Sequence, residues 1–129
     1  MSKNAVVTGA GSGVGQASAI MLAQQGWKVA ILGRRAETLE ETVQQAGEHS
    51  SNVSPFVCDV GNREQVAATA KSITGKLGDI EVLVNSAGNN FKERYLPDIS
   101  DENYHQTIDA NMNGAFYLAQ EFLPGMRER

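Results

Sequence analysis

The chain has 129 residues, 41% hydrophobic and 20% charged, which suits a single globular domain over residues 1–129 and excludes a disordered chain. Fifteen acidic residues against eleven basic ones, net −4, leave no general positive field for nucleic acid or an anionic membrane surface. No apolar run approaches the roughly 18 residues of a membrane helix, and the start Met1-Ser2-Lys3-Asn4 has no signal-peptide stretch, so the expected location is cytoplasmic. The single cysteine, Cys58, excludes an intrachain disulfide; with only His49 and His105 beside it, no metal site is expected, and Cys58 reads as a buried, inert thiol.

The first strand is Ala5-Val6-Val7, followed by Thr8-Gly9-Ala10-Gly11-Ser12-Gly13-Val14-Gly15 and a helix expected over 13–25. Val14, Ala17, Met21 and Leu22 share one face of that helix, and Gly26 stops it. A second strand, Val29-Ala30-Ile31-Leu32, leads through Gly33-Arg34-Arg35 into a helix over 36–46. Its stripe is Ala36, Leu39, Val43 and Ala46, with Glu37, Glu40 and Glu41 near its start and Gly47 at its close. Phe56-Val57-Cys58 reads as a third strand; Pro55 lacks a ladder donor, so this strand should lie at an edge or begin just after the proline. Asn62 with Gln65 three residues on signals the third helix, continuing through Val66, Ala70 and Ile73 to Gly75.

A fourth strand is expected over 80–84 and a loop over 85–98, where Gly88, Asn89, Asn90 and Pro97 disfavour regular structure. Ser100 caps a long last helix with the apolar stripe Tyr104, Ile108, Met112, Ala115, Ala119 and Phe122, its final turn disturbed at Pro124-Gly125. Short β-branched runs alternating with helices predict an α/β fold with a Rossmann-type, doubly wound parallel sheet. The order 3-2-1-4 puts the third strand at the outer edge, in agreement with Pro55.

Glycine at 9, 11, 13 and 15 permits close backbone approaches, so that a phosphate can meet bare amides at a helix N-terminus. A tight strand-to-helix connection without a ligand is the alternative. The spacing G-x-G-x-x-G fails in either frame, because Val14 and Gln16 occupy the third glycine positions, and no Gly-Lys-Ser/Thr follows for a Walker loop. T-G-x-x-x-G-x-G fits, through Thr8, Gly9, Gly13 and Gly15, and here the sequence resembles the short-chain dehydrogenase/reductase family over essentially its whole length.

The resemblance implies a dinucleotide cradle lined by Thr8, Gly9, Gly11, Ser12, Gly13, Val14 and Gly15. The second strand's end, where an acidic residue would bind the ribose hydroxyl of NAD, holds Gly33-Arg34-Arg35. An arginine there can pair with a 2′-phosphate, so NADP(H) is the preferred cofactor, with NAD(H) the alternative if Arg34 and Arg35 are only solvated charges. Asp59-Val60 falls where the family sets an aspartate against adenine; a turn residue before the third helix is the plainer reading. Asn85-Ser86-Ala87-Gly88 is similar to the family's N-N-A-G segment, with Ser86 in place of the second asparagine, and implies a border to the ribose and nicotinamide at Asn85, Ala87 and Gly88. Asn111 interrupts an apolar stripe, and the segment 109–116 resembles the family's catalytic-asparagine helix. There the asparagine holds a water in a proton relay to a lysine; local adjustment of the helix is the competing role.

The family chemistry, hydride transfer between nicotinamide and a carbonyl or alcohol carbon, also uses a serine and a Y-x-x-x-K pair. Tyr95 is followed at four by Ile99, Tyr104 by Ile108 and Tyr117 by Glu121, so none supplies it. The buried run Val82-Leu83-Val84 would form an open sheet edge if the fold stopped before a fifth strand. Three explanations stand: the N-terminal half of a longer oxidoreductase, a short dinucleotide-binding module without turnover, or a half-fold completed by another chain. Family resemblance further implies a small-molecule carbonyl or alcohol substrate and a homo-oligomer, dimer or tetramer, built through the last helix.

Overall fold

The computed structural model describes residues 2–88, 92 and 94–129. Four strands, β1 (Asn4–Thr8), β2 (Lys28–Gly33), β3 (Val53–Val57) and β4 (Val82–Asn85), form one parallel sheet in the order β3-β2-β1-β4. Helices α1 (Gly13–Gln24), α2 (Ala36–Gln45) and α3 (Arg63–Leu77) alternate with them. The last helical run comprises α4 (Asp101–Ile108), one turn of π-helix (Asp109–Asn113) and α5 (Gly114–Glu128). Asn89 and Asn90, expected in the loop after β4, lie outside the described residues.

The sheet is buried on both faces because alternate side chains of its central strands feed two separate cores. Val6, Ala30 and Leu32 point toward α3 and α5, meeting Val66, Ala70, Ile73, Leu118 and Phe122. Val7, Val29 and Ile31 point the other way, meeting Ala19, Ala23 and Leu39 from α1 and α2. Parallel register aligns Thr8 with Leu32 on one side and Asn85 on the other, and Gly33 with Val57. All four strands therefore end on one rim, the place where open α/β sheets bind ligands.

Several elements depart from the sequence expectations. The face of α1 that turns inward is Gly15, Ala19 and Ala23, while Val14 and Met21 are exposed and so is Ala17. Small residues at four-residue spacing let the helix backbone approach the sheet, and Gly15 lies against the backbone of Thr8 and Gly9; close approach outweighs side-chain hydrophobicity here. In α2 the buried residues are Leu39 and Thr42, and Ala36 is exposed. A 3₁₀ turn, Gly47–Asn52, follows it, and β3 begins at Val53, before Pro55 rather than after it. The proline is tolerated because β3 is an edge strand and needs ladder bonds on one side only.

Helix α3 runs past Gly75 to Leu77 and ends at Gly78, whose φ of 87° suits a glycine. Half of its expected capping box forms: Asn62 Oδ1 accepts from Gln65 N at 3.0 Å, but Gln65 Oε1 accepts from Asp59 N at 2.9 Å. β4 starts at Val82, two residues later than expected, and its Val82, Leu83 and Val84 are half-buried. Among the described residues no strand covers its outer edge.

Ser100 caps α4, accepting from Asn103 N at 3.0 Å. The apolar stripe expected beyond it holds only in part, with Ile108, Ala115 and Ala119 half-buried and Phe122 buried, and a π turn interrupts it at Asp109–Asn113. Tyr104 and Met112 are exposed, while Gly114, Leu118 and Phe122 form the buried face of α5. Pro124 lies inside α5 without ending it. Its ring is exposed, as is Gln120 four residues back, so the carbonyl that loses its partner can meet water. Arg129 ties the helix end down, donating to the Ile80 carbonyl and pairing with Asp79 at 3.4 Å and Glu81 at 3.3 Å.

Asn62→Ala is expected to lower the unfolding free energy by about 1 kcal/mol through loss of the cap. Urea denaturation should show this as a lower midpoint with an unchanged m value.

Candidate functional site

The rim is organised by the turn after β1. Gly9 has φ 61°, and a Cβ there would lie 2.7 Å from the Ser86 carbonyl oxygen, so the turn and the segment after β4 touch backbone to backbone. Thr8, fully buried, fastens the same contact: its hydroxyl donates to Asn85 Oδ1 at 3.0 Å and accepts from Ser86 N at 3.1 Å and Ala87 N at 3.0 Å. One donor and two lone pairs are all used. Gly15 completes the frame, because a Cβ on it would overlap the Gly9 carbonyl oxygen.

Above this frame α1 presents its N-terminus to an open space. Gly13 has φ 57° and nothing within 4 Å of a would-be Cβ. Ser12 precedes the helix in extended backbone without a side-chain cap, and the first turn carries no acidic residue. Uncapped amides and an uncompensated dipole make this end receptive to an anion. The amides open onto a cleft of 420 Å³ lined by Gly9, Gly11, Ser12, Val14, Gly33, Arg34, Arg35, Thr38, Ser86 and Gly88.

A narrower pocket of 80 Å³ shares Gly9, Gly33, Arg34 and Gly88 with that cleft and adds Leu32, Cys58, Asp59, Val60, Ala87 and Ala110. Arg34 forms no ion pair among the described residues, and Arg35 has only an exposed contact with Glu37 at 3.6 Å. Asp59 Oδ1 accepts from Gly61 N at 3.0 Å, so the carboxylate serves the turn before α3 as well as facing the pocket. Burial pushes the Cys58 thiol above its ordinary pKa, the neighbouring Asp59 charge acts in the same direction, and a hydrogen bond with Thr69 partly offsets both. Cys58, almost fully buried, contributes a thiol wall to this pocket.

Asn111 sits in the π turn, and a Cβ on Gly88 would lie 2.7 Å from its Oδ1. The π turn is itself packed tightly: a Cβ on Gly61 would come within 3.0 Å of Asp109 Cβ, and one on Gly114 within 2.8 Å of Val60 Cγ2. Asn113 adds a bond to Asp109 Oδ1 at 2.8 Å. The segment after β3 thus rests on the segment carrying Asn111.

Of the residues singled out from the sequence, Gly9, Gly11, Ser12, Val14, Gly33, Arg34, Arg35, Asp59, Val60, Ala87 and Gly88 line the two clefts. Thr8 and Gly15 lie beneath them as framework, Asn85 is engaged by Thr8, and Asn111 reaches the site beside Gly88. Sequence reading missed Leu32, Thr38, Cys58, Ser86 and Ala110 as wall residues. A larger groove of 630 Å³ lies on the outer face of α5, among Phe116, Ala119, Leu123 and Pro124, and borders none of these residues. Among the described residues no group of His, Cys, Asp and Glu could hold a metal ion, and no helix is long and apolar enough to cross a membrane.

A parallel sheet in this order, with a glycine turn feeding a helix N-terminus at its rim, defines a Rossmann-type α/β protein. The family model described as short chain dehydrogenase matches residues 3–129, and the chain belongs to that family. An uncharacterized oxidoreductase of Staphylococcus aureus (strain USA300) is 38% identical over 127 residues, covering 98% of this chain and 54% of the relative. Short-chain dehydrogenase/reductase 3 of Bos taurus is 36% identical, covering 98% of this chain and 42% of its own length. Among solved structures, a metagenomic short-chain oxidoreductase in complex with NADP superposes with a TM-score of 0.90 at 28% identity, over 96% of this chain and 56% of that one. Serine dehydrogenase from Escherichia coli gives 0.85 at 34% identity, over 98% and 57%. The chain spans about half the length of these relatives.

Thr8→Val is expected to destabilise the fold by about 1–3 kcal/mol, because two part-buried amides and the side-chain oxygen of Asn85 lose their partner. Chemical denaturation should show most of this stability restored in Thr8→Ser.

Proposed function

We propose that this chain is the dinucleotide-binding part of an NADP(H)-dependent oxidoreductase that acts on a carbonyl/alcohol pair. One observation carries the choice of cofactor: β2 ends in Gly33, followed by two arginines with no strong ion partner among the described residues, where a carboxylate would be needed to favour NAD. A cofactor of this class supplies the hydride, or accepts it, at its nicotinamide ring. The fit to the chain rests on the uncapped N-terminus of α1, the open space over Gly13 and the cleft that Gly9, Gly11 and Ser12 line beside it.

In this reading the amides of the 9–15 turn and of the start of α1 bind the pyrophosphate, with Gly9, Gly11, Ser12, Gly13 and Val14 as its walls. Arg34 and Arg35 bind the 2′-phosphate, Arg35 at little cost because its exposed pair with Glu37 is weak. Asp59 and Val60 border adenine, the aspartate retaining acceptor capacity beyond its bond to Gly61. Asn85, Ala87 and Gly88 face the ribose and nicotinamide side. Asn111, seated against Gly88, holds a water in the proton relay. The serine and the tyrosine-lysine pair that would complete the chemistry are not supplied by these residues, so binding is assigned to this chain and turnover to a site with those groups added. The half-buried outer edge of β4 supports completion by a further strand, from the same polypeptide or from a second one.

The exposed Phe116 and Leu123 of α5 support self-association through that helix. Phe116→Asp is expected to shift a dimer or tetramer toward monomer in sedimentation velocity; a wild-type monomer at all concentrations refutes this interface.

For the cofactor, the double replacement Arg34→Ala, Arg35→Ala should weaken NADPH at least tenfold, on the order of one charge-assisted bond, and leave NADH nearly unchanged. Equal weakening of both in calorimetric titrations refutes the 2′-phosphate assignment.

A further inference from the structure

The glycine turn is also anchored from a direction that no glycine motif describes. Ala10, at the centre of the turn, is fully buried, and both of its peptide groups are tied to the β2–α2 unit. Its N–H donates to the Leu32 carbonyl at 3.2 Å, and its carbonyl accepts from the Thr42 hydroxyl at 2.7 Å. Thr42 is also fully buried, and its oxygen accepts in turn from Gln16 Nε2 at 3.0 Å, an arm from α1. The competing acceptor for its single proton, the Thr38 carbonyl, is farther away at 3.3 Å. One hydroxyl therefore joins α1, α2 and the turn in a dry environment, where the loss of a partner is costly.

Leu32 and Thr42 lie on either side of Gly33-Arg34-Arg35 in the chain. Whatever holds Ala10 to both of them also fixes the spacing between the amides of the turn and the arginine pair. We propose that Thr42 is a positioning residue for dinucleotide recognition. Through Ala10 it sets the glycine turn against the β2–α2 segment, so that a pyrophosphate and a 2′-phosphate on one ligand are met together. The proposal rests on the dinucleotide reading above and adds to it a residue that lines neither cleft.

The test compares NADPH, which carries both groups, with adenosine 2′-monophosphate, which lacks the pyrophosphate, by calorimetric titration of the intact chain. Thr42→Val should weaken NADPH about tenfold and change adenosine 2′-monophosphate less than about twofold, since one buried bond is lost and the arginines remain. Thr42→Ser, which keeps the hydroxyl, should restore NADPH binding; Thr42→Cys, a weaker donor of similar size, should fall between. Equal weakening of both ligands, or no rescue by serine in a folded protein, overturns the proposal. If Thr42→Val does not fold, the order of threonine and serine above cysteine decides the matter. If the wild-type chain binds neither NADPH nor NADH, the dinucleotide reading fails by itself. Nitrogen-15 relaxation of the unliganded protein then decides the role of Thr42: added mobility at residues 9–13 in Thr42→Cys supports the anchor, and unchanged mobility overturns it.

Discussion

The contact between the turn after β1 and the backbone after β4 governs the rest of the molecule. Two chain segments 77 to 79 residues apart in sequence meet there, backbone to backbone at Gly9 and Ser86, and the Thr8 hydroxyl satisfies three polar groups beside that approach. Gly9 makes the approach sterically possible, and Gly15 lets α1 settle onto the same backbone. Because β1 is flanked by β2 and β4, any displacement of this junction would propagate into both neighbours and into the orientation of the α1 N-terminus.

The electrostatics of the rim run against those of the chain as a whole. The protein carries net −4, yet the cleft above the turn is lined by glycines, hydroxyls and two arginines, and the first turn of α1 contributes no carboxylate. Asp59 faces the neighbouring pocket, which Arg34 also lines. A field this local has a short reach at physiological salt.

Much of the architecture was legible in the sequence. β-branched runs alternating with helices mark a parallel sheet, Pro55 marks its edge, and Asn62 and Ser100 mark two helix starts, because each of these signals depends on local backbone chemistry. The readings that failed depended on phase. The inward face of α1 is chosen by how closely Gly15 can approach Thr8 and Gly9, a contact that hydrophobic periodicity does not encode. The stripe of the last helix breaks at residues 109–113, where the backbone takes a π turn among the close contacts of Gly61 with Asp109 and Gly114 with Val60.

The candidate site divides in the same way. The residue types assigned above to the proposed dinucleotide site, glycines at the turn, arginines after β2 and amides at Asn85 and Asn111, stand in the sequence at readable spacings, since each is named by its own chemistry. Which of them form walls and which form framework, and that Thr8 and Thr42 do the fastening, emerged only from the fold. Hydrogen-bond partners separated by 32 residues for Thr42 and 77 for Thr8 are set by packing of the sheet and its helices, and a hydroxyl carries no mark in the sequence of the carbonyl it will meet.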